Sequence, residues 1–328
     1  MNRRRKLAMA LAASAFAAPF TTFAQSRPAP VVIAWLSLNS REAGSGTLAA
    51  FKEGLAALGW KEGSQFVIEE RWANGQYERL APLAAELAAK NPAIFVAGPS
   101  QPVAAAAKAA PRTPIVHATG SDPVAAGFAA SLARPGGMIT GLSNLATDIT
   151  EKHLELLLAF VPKVRRVGFL TDARNVNLAS MIKGAERSVA QRAIEARFAQ
   201  AARADEIEPA MARLAKEGVQ ALVVFASPLF SVERRRIVTL ALARRWPMIG
   251  PNTPFADAGA LLSYGADAVA NFRRAATFVD KILKGAKPGD LPMEQPTRLD
   301  LVVNATTAKA LGLAIPHAIE IMAIKVIE

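Results

Sequence analysis

Val31-Val32-Ile33-Ala34-Trp35-Leu36 is an unbroken apolar run, and a helically spaced stretch from Thr47 to Leu58 follows it until Gly59 stops it. A continuous apolar run, unlike an alternating one, reads as a strand covered on both faces, as in a parallel sheet with helices above and below. Working outward, the pattern repeats. Phe66-Val67-Ile68 is followed by a helix from Tyr77 to Ala89, and Ile94 to Ala97 by an Ala-rich helix. Pro114 to His117 and Met138 to Leu142 supply a fourth and a fifth strand. After a helix from Thr150 to Phe160 the rhythm restarts at Arg166–Leu170, Ala196–Ala199, Ala221–Phe225, Met248–Gly250 and Leu261–Tyr264. Two sets of βα units predict an α/β protein of two lobes. A helix from Asn271 to Leu283 and a strand from Leu299 to Val303 are too short for a domain and must add to those lobes.

The chain begins with Arg3-Arg4-Arg5-Lys6, an apolar run from Leu7 to Phe20, and Thr22-Phe23-Ala24. Basic end, short apolar core and small-residue cut site make a secretory signal over residues 1–24. The rival reading, an uncleaved anchor or buried helix, is disfavoured because the run is shorter than the roughly 18 residues of a spanning helix. The expected location is the periplasm, with a mature chain starting at Gln25. There is no cysteine among 328 residues, which excludes disulfides, thiolate metal sites and a lipid-modified cut site. The expected product is therefore a monomer free of the membrane. Removing the four basic residues of the signal from a net charge of +12 leaves +8. These charges fall as pairs on apparent helices, with only Arg234-Arg235-Arg236 as a triplet and no interleaved aromatics, so nucleic acid is not an expected partner.

Chemistry is sparse. His117, His153 and His317 show no metal-ligand spacing, and neither a nucleophile elbow nor a Walker loop is present. Gly44-Ser45-Gly46 lacks the third glycine of a dinucleotide fingerprint. No cofactor is expected. What recurs is a cap before proline at strand ends: Ser121-Asp122-Pro123, Ser227-Pro228 and Thr253-Pro254. Each predicts a helix whose first N–H groups face the carboxyl edge of the sheet, where open α/β sheets bind ligands and where anions are favoured. The expected ligand-binding residues are Ser37, Ser100, Gln101, Ser121, Asp122, Asn144, Ser227, Phe230, Asn252 and Tyr264. For Asp122 two roles stand open, a helix cap and a partner for a ligand ammonium.

Phe51-Lys52-Glu53-Gly54-Leu55 with Leu58-Gly59-Trp60, and Ile68-Glu69-Glu70-Arg71-Trp72-Ala73, form one series of landmarks. Asp122-Pro123-Val124, Ser131 to Gly137 and Thr140-Gly141-Leu142-Ser143 form a second, and Pro228-Leu229-Phe230, Ser263-Tyr264-Gly265 and Val279 to Ala286 a third. Together they resemble the ABC-transporter substrate-binding proteins related to the tryptophan/phenylalanine-binding TrpX type, in order over nearly the whole mature chain. The resemblance implies a type I periplasmic binding fold, two doubly wound parallel-sheet lobes joined by a three-crossover hinge. The lobes would comprise residues 28–144 plus 266–290 and residues 145–265 plus 291–328. It further implies capture of a small-molecule solute, here a carboxylate-bearing amino acid or organic acid, and delivery to an inner-membrane ABC permease with its ATPase, with no reaction catalysed. Ser227 stands where many members carry Asp, and Gly98-Pro99-Ser100-Gln101 departs from the usual turn, so the solute is not implied. An exported hydrolase using Asp122 or His117, and a ligand sensor for a membrane signalling protein, are the alternatives.

Overall fold

A computed structural model of the protein describes residues 29–120, 122–143, 146–175, 178–295 and 299–328, apart from the side chains of 146–148. The export signal over 1–24, Ser121 and Asn144 lie outside the described residues. The first lobe contains β1 (Val31–Ser37), α1 (Arg41–Ala57), β2 (Phe66–Trp72), α2 (Leu80–Ala88), β3 (Ile94–Gly98), α3 (Ser100–Ala109), β4 (Ile115–His117) and β5 (Ile139–Gly141). Its sheet is wholly parallel in the order β2-β1-β3-β4-β5. Trp35, Ile33 and Val96 pack on one face and Leu36, Phe95 and Ala97 on the other, which is why β1 and β3 are apolar without alternation.

The second lobe runs through α4 (Ala146–Phe160), β6 (Arg166–Asp172), α5 (Leu178–Ala190), β7 (Glu195–Ala201), α6 (Ala204–Lys216) and β8 (Ala221–Val224). It continues with α7 (Pro228–Val232), α8 (Arg234–Ala243), β9 (Met248–Gly250), α9 (Thr253–Asp257) and β10 (Leu262–Ala266). Helix α10 (Ala268–Leu283) then precedes β11 (Leu299–Asn304), α11 (Ala305–Leu311), α12 (His317–Met322) and β12 (Lys325–Ile327). The sheet order is β12-β11-β10-β9-β8-β6-β7, with only β10 and β11 antiparallel. Its core β7-β6-β8-β9-β10 repeats the winding of the first lobe. The terminal α11, α12 and β12 are too short to show a period in the sequence, and β12 forms because β11 offers it a free edge.

The chain passes between the lobes three times: from β5 into α4, from β10 into α10, and from residue 291 into β11. Helix α10 returns to the first lobe, where Phe272, Phe278 and Val279 join Trp35, Phe51 and Leu55 in one core. It lies so close to α1 that a Cβ on Gly54 would sit 2.6 Å from the Arg273 carbonyl. Strand β11 returns to the second lobe. The first and third passages run side by side: Ser143 N–H donates to the Glu294 carbonyl and Glu294 N–H to the Gly141 carbonyl, both at 2.8 Å. Arg274 fixes that pair with a forked ion pair to Glu294 at 2.8 Å for each arm, which holds the Glu294 carboxyl below its usual range. Among the described residues no helix is long and apolar enough to cross a membrane.

Two expectations fail locally. Thr253 does not cap a helix but is the first residue of α9, and Asn252 before it makes no side-chain cap bond. The Asp122-Pro123 cap does not open a helix; residues 123–127 form turns. Asp122 Oδ1 accepts the N–H groups of Val124 and Ala125, as a cap should. Phe128 N–H then bonds back to the Pro123 carbonyl, and Gly127, at φ +72°, turns the chain out after one turn.

Candidate functional site

Both sheets aim the carboxyl ends of their strands at the space between the lobes. Each winding reverses beside its first strand, at β1/β3 and at β6/β8, and the crevice at such a reversal is where open α/β sheets bind ligands. A cavity of about 220 Å³ opens there, at the small end for ligand pockets and suited to one small molecule. The first lobe contributes Ser37 and Asn39 from the end of β1, Gly98 to Gln101 from the end of β3, and Thr119 and Gly120 after β4. The second contributes Phe225 to Pro228 after β8, Asn252 after β9, and Gly265 and Ala266 at the end of β10.

On the first wall, α3 begins at Ser100 behind Pro99, and no side chain caps it. The N–H groups of Ser100 and Gln101, which precede Pro102, are thus met by no side-chain cap, and the helix dipole adds a partial positive charge at the same point. Ser100 and Gln101 bring side-chain donors to that turn. The Asn39 side-chain carbonyl makes no hydrogen bond. On the second wall, Ser227 caps α7 by accepting from Phe230 N–H at 3.4 Å and donates its own proton to Asp172 Oδ2 at 2.5 Å. Asn252 precedes α9 without capping it, and its side-chain oxygen is also unpartnered. His153 on α4 lines the cavity and donates from Nε2 to the Tyr264 carbonyl at 2.6 Å.

Among the described lining residues none is an acid, a lysine or an arginine. His153 is neutral at ordinary pH because burial lowers its pKa to about 4 against the pull of the Tyr264 carbonyl. His117, fully buried beneath Gly120, is likewise lowered to about 4 by burial, offset only in part by the Thr119 backbone. The polarity of the cavity therefore comes from hydroxyls, amides and one helix end. Such a set can hold and orient a polar molecule.

Of the residues expected from sequence, Ser37, Ser100, Gln101, Ser227 and Asn252 come together around this cavity. Phe230 does not reach it; it is fully buried in the core beneath α7, where an apolar ring belongs. The Tyr264 ring packs on the other second-lobe core and edge-on against His153, while its neighbours Gly265 and Ala266 line the cavity. Asp122 spends its carboxylate on its own turn and is not in the lining. Sequence reading missed Asn39, Thr47, His153, Asn175 and Phe272. Asn39 lies two residues past β1, within reach of the strand-end rule that found Ser37. Phe272 comes from α10, and no local signal places that helix over the first lobe.

The family model for ABC transporter substrate binding proteins matches residues 32–327. A tyrosine-binding protein of Clostridioides difficile (strain R20291) is 24% identical over 263 residues, 80% of this chain and 75% of that one. A conserved domain protein of Vibrio cholerae has a crystal structure that superposes with a TM-score of 0.85 at 26% identity, over 90% of this chain and 99% of that one. The ABC domain from Streptococcus pneumonia, solved in complex with L-Trp, also reaches 0.85, at 22% identity over 91% and 100%.

Proposed function

The chain belongs to the family of ABC transporter substrate-binding proteins, and from that premise we propose that it captures a small carboxylate-bearing solute, an amino acid or organic acid, in the periplasm and hands it to an inner-membrane importer. The observation that carries the solute class is the uncapped start of α3 at the cavity wall, with Ser100 and Gln101 beside it. A carboxylate satisfies N–H donors and dipole together. The tyrosine-binding relative and the L-Trp complex of a structural neighbour support an amino acid, and Phe225 and Phe272 in the lining suit an aromatic one.

In this reading Ser37, Ser100 and Gln101 hold the solute from one lobe and Ser227 and Asn252 from the other. A solute held from both sides favours the closed form over the open one, and that difference is the whole of the function. Closure turns on the three passages near residues 144–149, 265–271 and 289–295. The solute leaves unchanged, and the protein acts as a monomer free of the membrane once residues 1–24 are removed.

Calorimetry with L-tyrosine, L-tryptophan, 3-(4-hydroxyphenyl)propionate and glucose tests the proposal. Binding of at least one of the acids, and none of glucose, is expected. A preference for glucose over every acid ends the carboxylate assignment. Mass spectrometry of solute retained on purification identifies the natural ligand, and N-terminal sequencing of the periplasmic fraction should read from Gln25.

A further inference from the structure

Away from the crossovers, at the other end of the cleft, the lobes touch through a buried polar contact that no solute completes. The sheet orders put β5 and β10 on the crossover side and β2 and β7 on the far side. Tyr77 follows β2, and its hydroxyl donates to Asp172 Oδ2, across the lobes, at 2.5 Å. Asp172, at the end of β6, is 1% exposed. It also receives the Ser227 hydroxyl on Oδ2 and the Arg174 N–H on Oδ1, at 2.9 Å. Around this centre, Arg174 lies 4.6 Å over the Tyr77 ring and 3.1 Å from Glu78. Gly75 faces Leu229 and Val232 of α7.

We infer that Tyr77, Asp172 and Ser227 form a clasp that draws the lobes together before any solute is bound, making Tyr77 and Asp172 positioning residues for capture. Neither lines the cavity; Ser227 does, so the clasp meets the site at one side chain. Burial and the neighbouring Asp172 push the Tyr77 phenol far above its usual range, so it remains a donor at any ordinary pH. Asp172 also accepts a hydrogen bond from the Ser227 hydroxyl. With its proton so directed and one lone pair taken by Phe230 N–H, Ser227 keeps one lone pair as an acceptor, which suits a donor group on the solute, an amine or a hydroxyl. Opening the lobes removes Tyr77 from Asp172 but leaves Ser227 and the Arg174 N–H in place, since these belong to the same lobe.

The contribution of such a bond to a charged group corresponds to about ten- to a hundredfold in the closed-to-open ratio. Apparent affinity falls in proportion to the closed fraction, because only the closed form binds solute; in a protein that starts mainly closed, the loss is smaller than the change in ratio. That consequence rests on the binding-protein reading above; the test does not, since it uses the protein without solute.

The chain has no cysteine, so spin labels can be placed through Lys108→Cys on α3 and Lys216→Cys on α6, both exposed and one on each lobe. Double electron–electron resonance on the solute-free, doubly labelled protein should show mainly the short, closed separation. Tyr77→Phe, which keeps the ring under Arg174, should shift that ratio toward the long separation by about ten- to a hundredfold. Asp172→Asn should shift it in the same direction. The double variant should go no further than Tyr77→Phe, because both act on one contact. A solute-free protein that shows only the long separation overturns the clasp. So does a Tyr77→Phe distribution that superposes on the wild type, or a double variant whose shifts add. A protein that binds none of the probe acids can still show the shift, so this inference and the solute assignment fail separately.

Discussion

The two walls of the cleft are wound on the same strand order but hold their polar groups in opposite states. On the second wall, Ser227 is bound at both ends, to Asp172 and to Phe230 N–H, and His153 is tied to the Tyr264 carbonyl. On the first, α3 starts uncapped and the Asn39 side-chain oxygen has no partner; the second wall has one such open group too, at Asn252. A satisfied wall keeps its shape without help; an unsatisfied one has donors to spend on a ligand. Recognition therefore rests on the open groups of the first wall together with Asn252, while Ser227 and His153 hold the second wall in shape.

The largest expected effect sets the two histidines against each other through pH. Each has a folded-state pKa of about 4 against an ordinary value near 6.5. The unfolded chain therefore binds more protons between these values, and stability present above pH 6.5 is lost as pH falls toward 4. The loss is on the order of 3 kcal/mol for each histidine. Urea titrations from pH 7.5 to 4.5 should show the decline. His153→Gln, which can still donate to Tyr264, should flatten roughly half of it; an unchanged slope means that His153 is not held neutral by the second wall.

Next is the backing of the first wall. Phe272 is 6% exposed, with its ring centroid 4.9 Å from that of Trp35. Phe272→Ala should lower unfolding stability by about 3–5 kcal/mol. A loss below about 1 kcal/mol would mean that α10 does not hold this wall in place.

A sharper contrast comes from two serines. Ser100→Ala should weaken a carboxylate ligand by about ten- to a hundredfold while leaving unfolding stability within about 0.5 kcal/mol. Ser227→Ala should lower stability by about 1–3 kcal/mol, because Asp172 loses a buried donor. If the two variants exchange these phenotypes, the division of labour between the walls is wrong.

Smallest of all is Asp122→Asn. Asp122 serves its own turn, and Asn caps as well as Asp, so stability and affinity for both an amino acid and its deaminated analogue should move by only a few tenths of a kcal/mol. A tenfold loss confined to the amino acid would return Asp122 to the site.

Strands such as β1 and β8 were legible because burial on both faces leaves no room for alternation, so composition alone marks them. The capping role of Asp122 and Ser227 was legible for a similar reason: a cap is set by residues two or three positions away. The sequence could also say that ligand-facing groups follow strand ends, since winding order places the crevice there, and five of the eight expected residues that the structure describes line the cavity.

What lay beyond it were contacts whose partners are far apart along the chain. Tyr77 reads as the start of a helix, and Asp172 falls two residues past the strand read at Arg166–Leu170; their meeting spans 95 positions and depends on how two lobes are set against each other. Phe230 and Ser227 sit three residues apart on one turn, yet one is core and the other lines the cavity. The tertiary structure made that choice, because local periodicity says which residues share a face but not what stands opposite it.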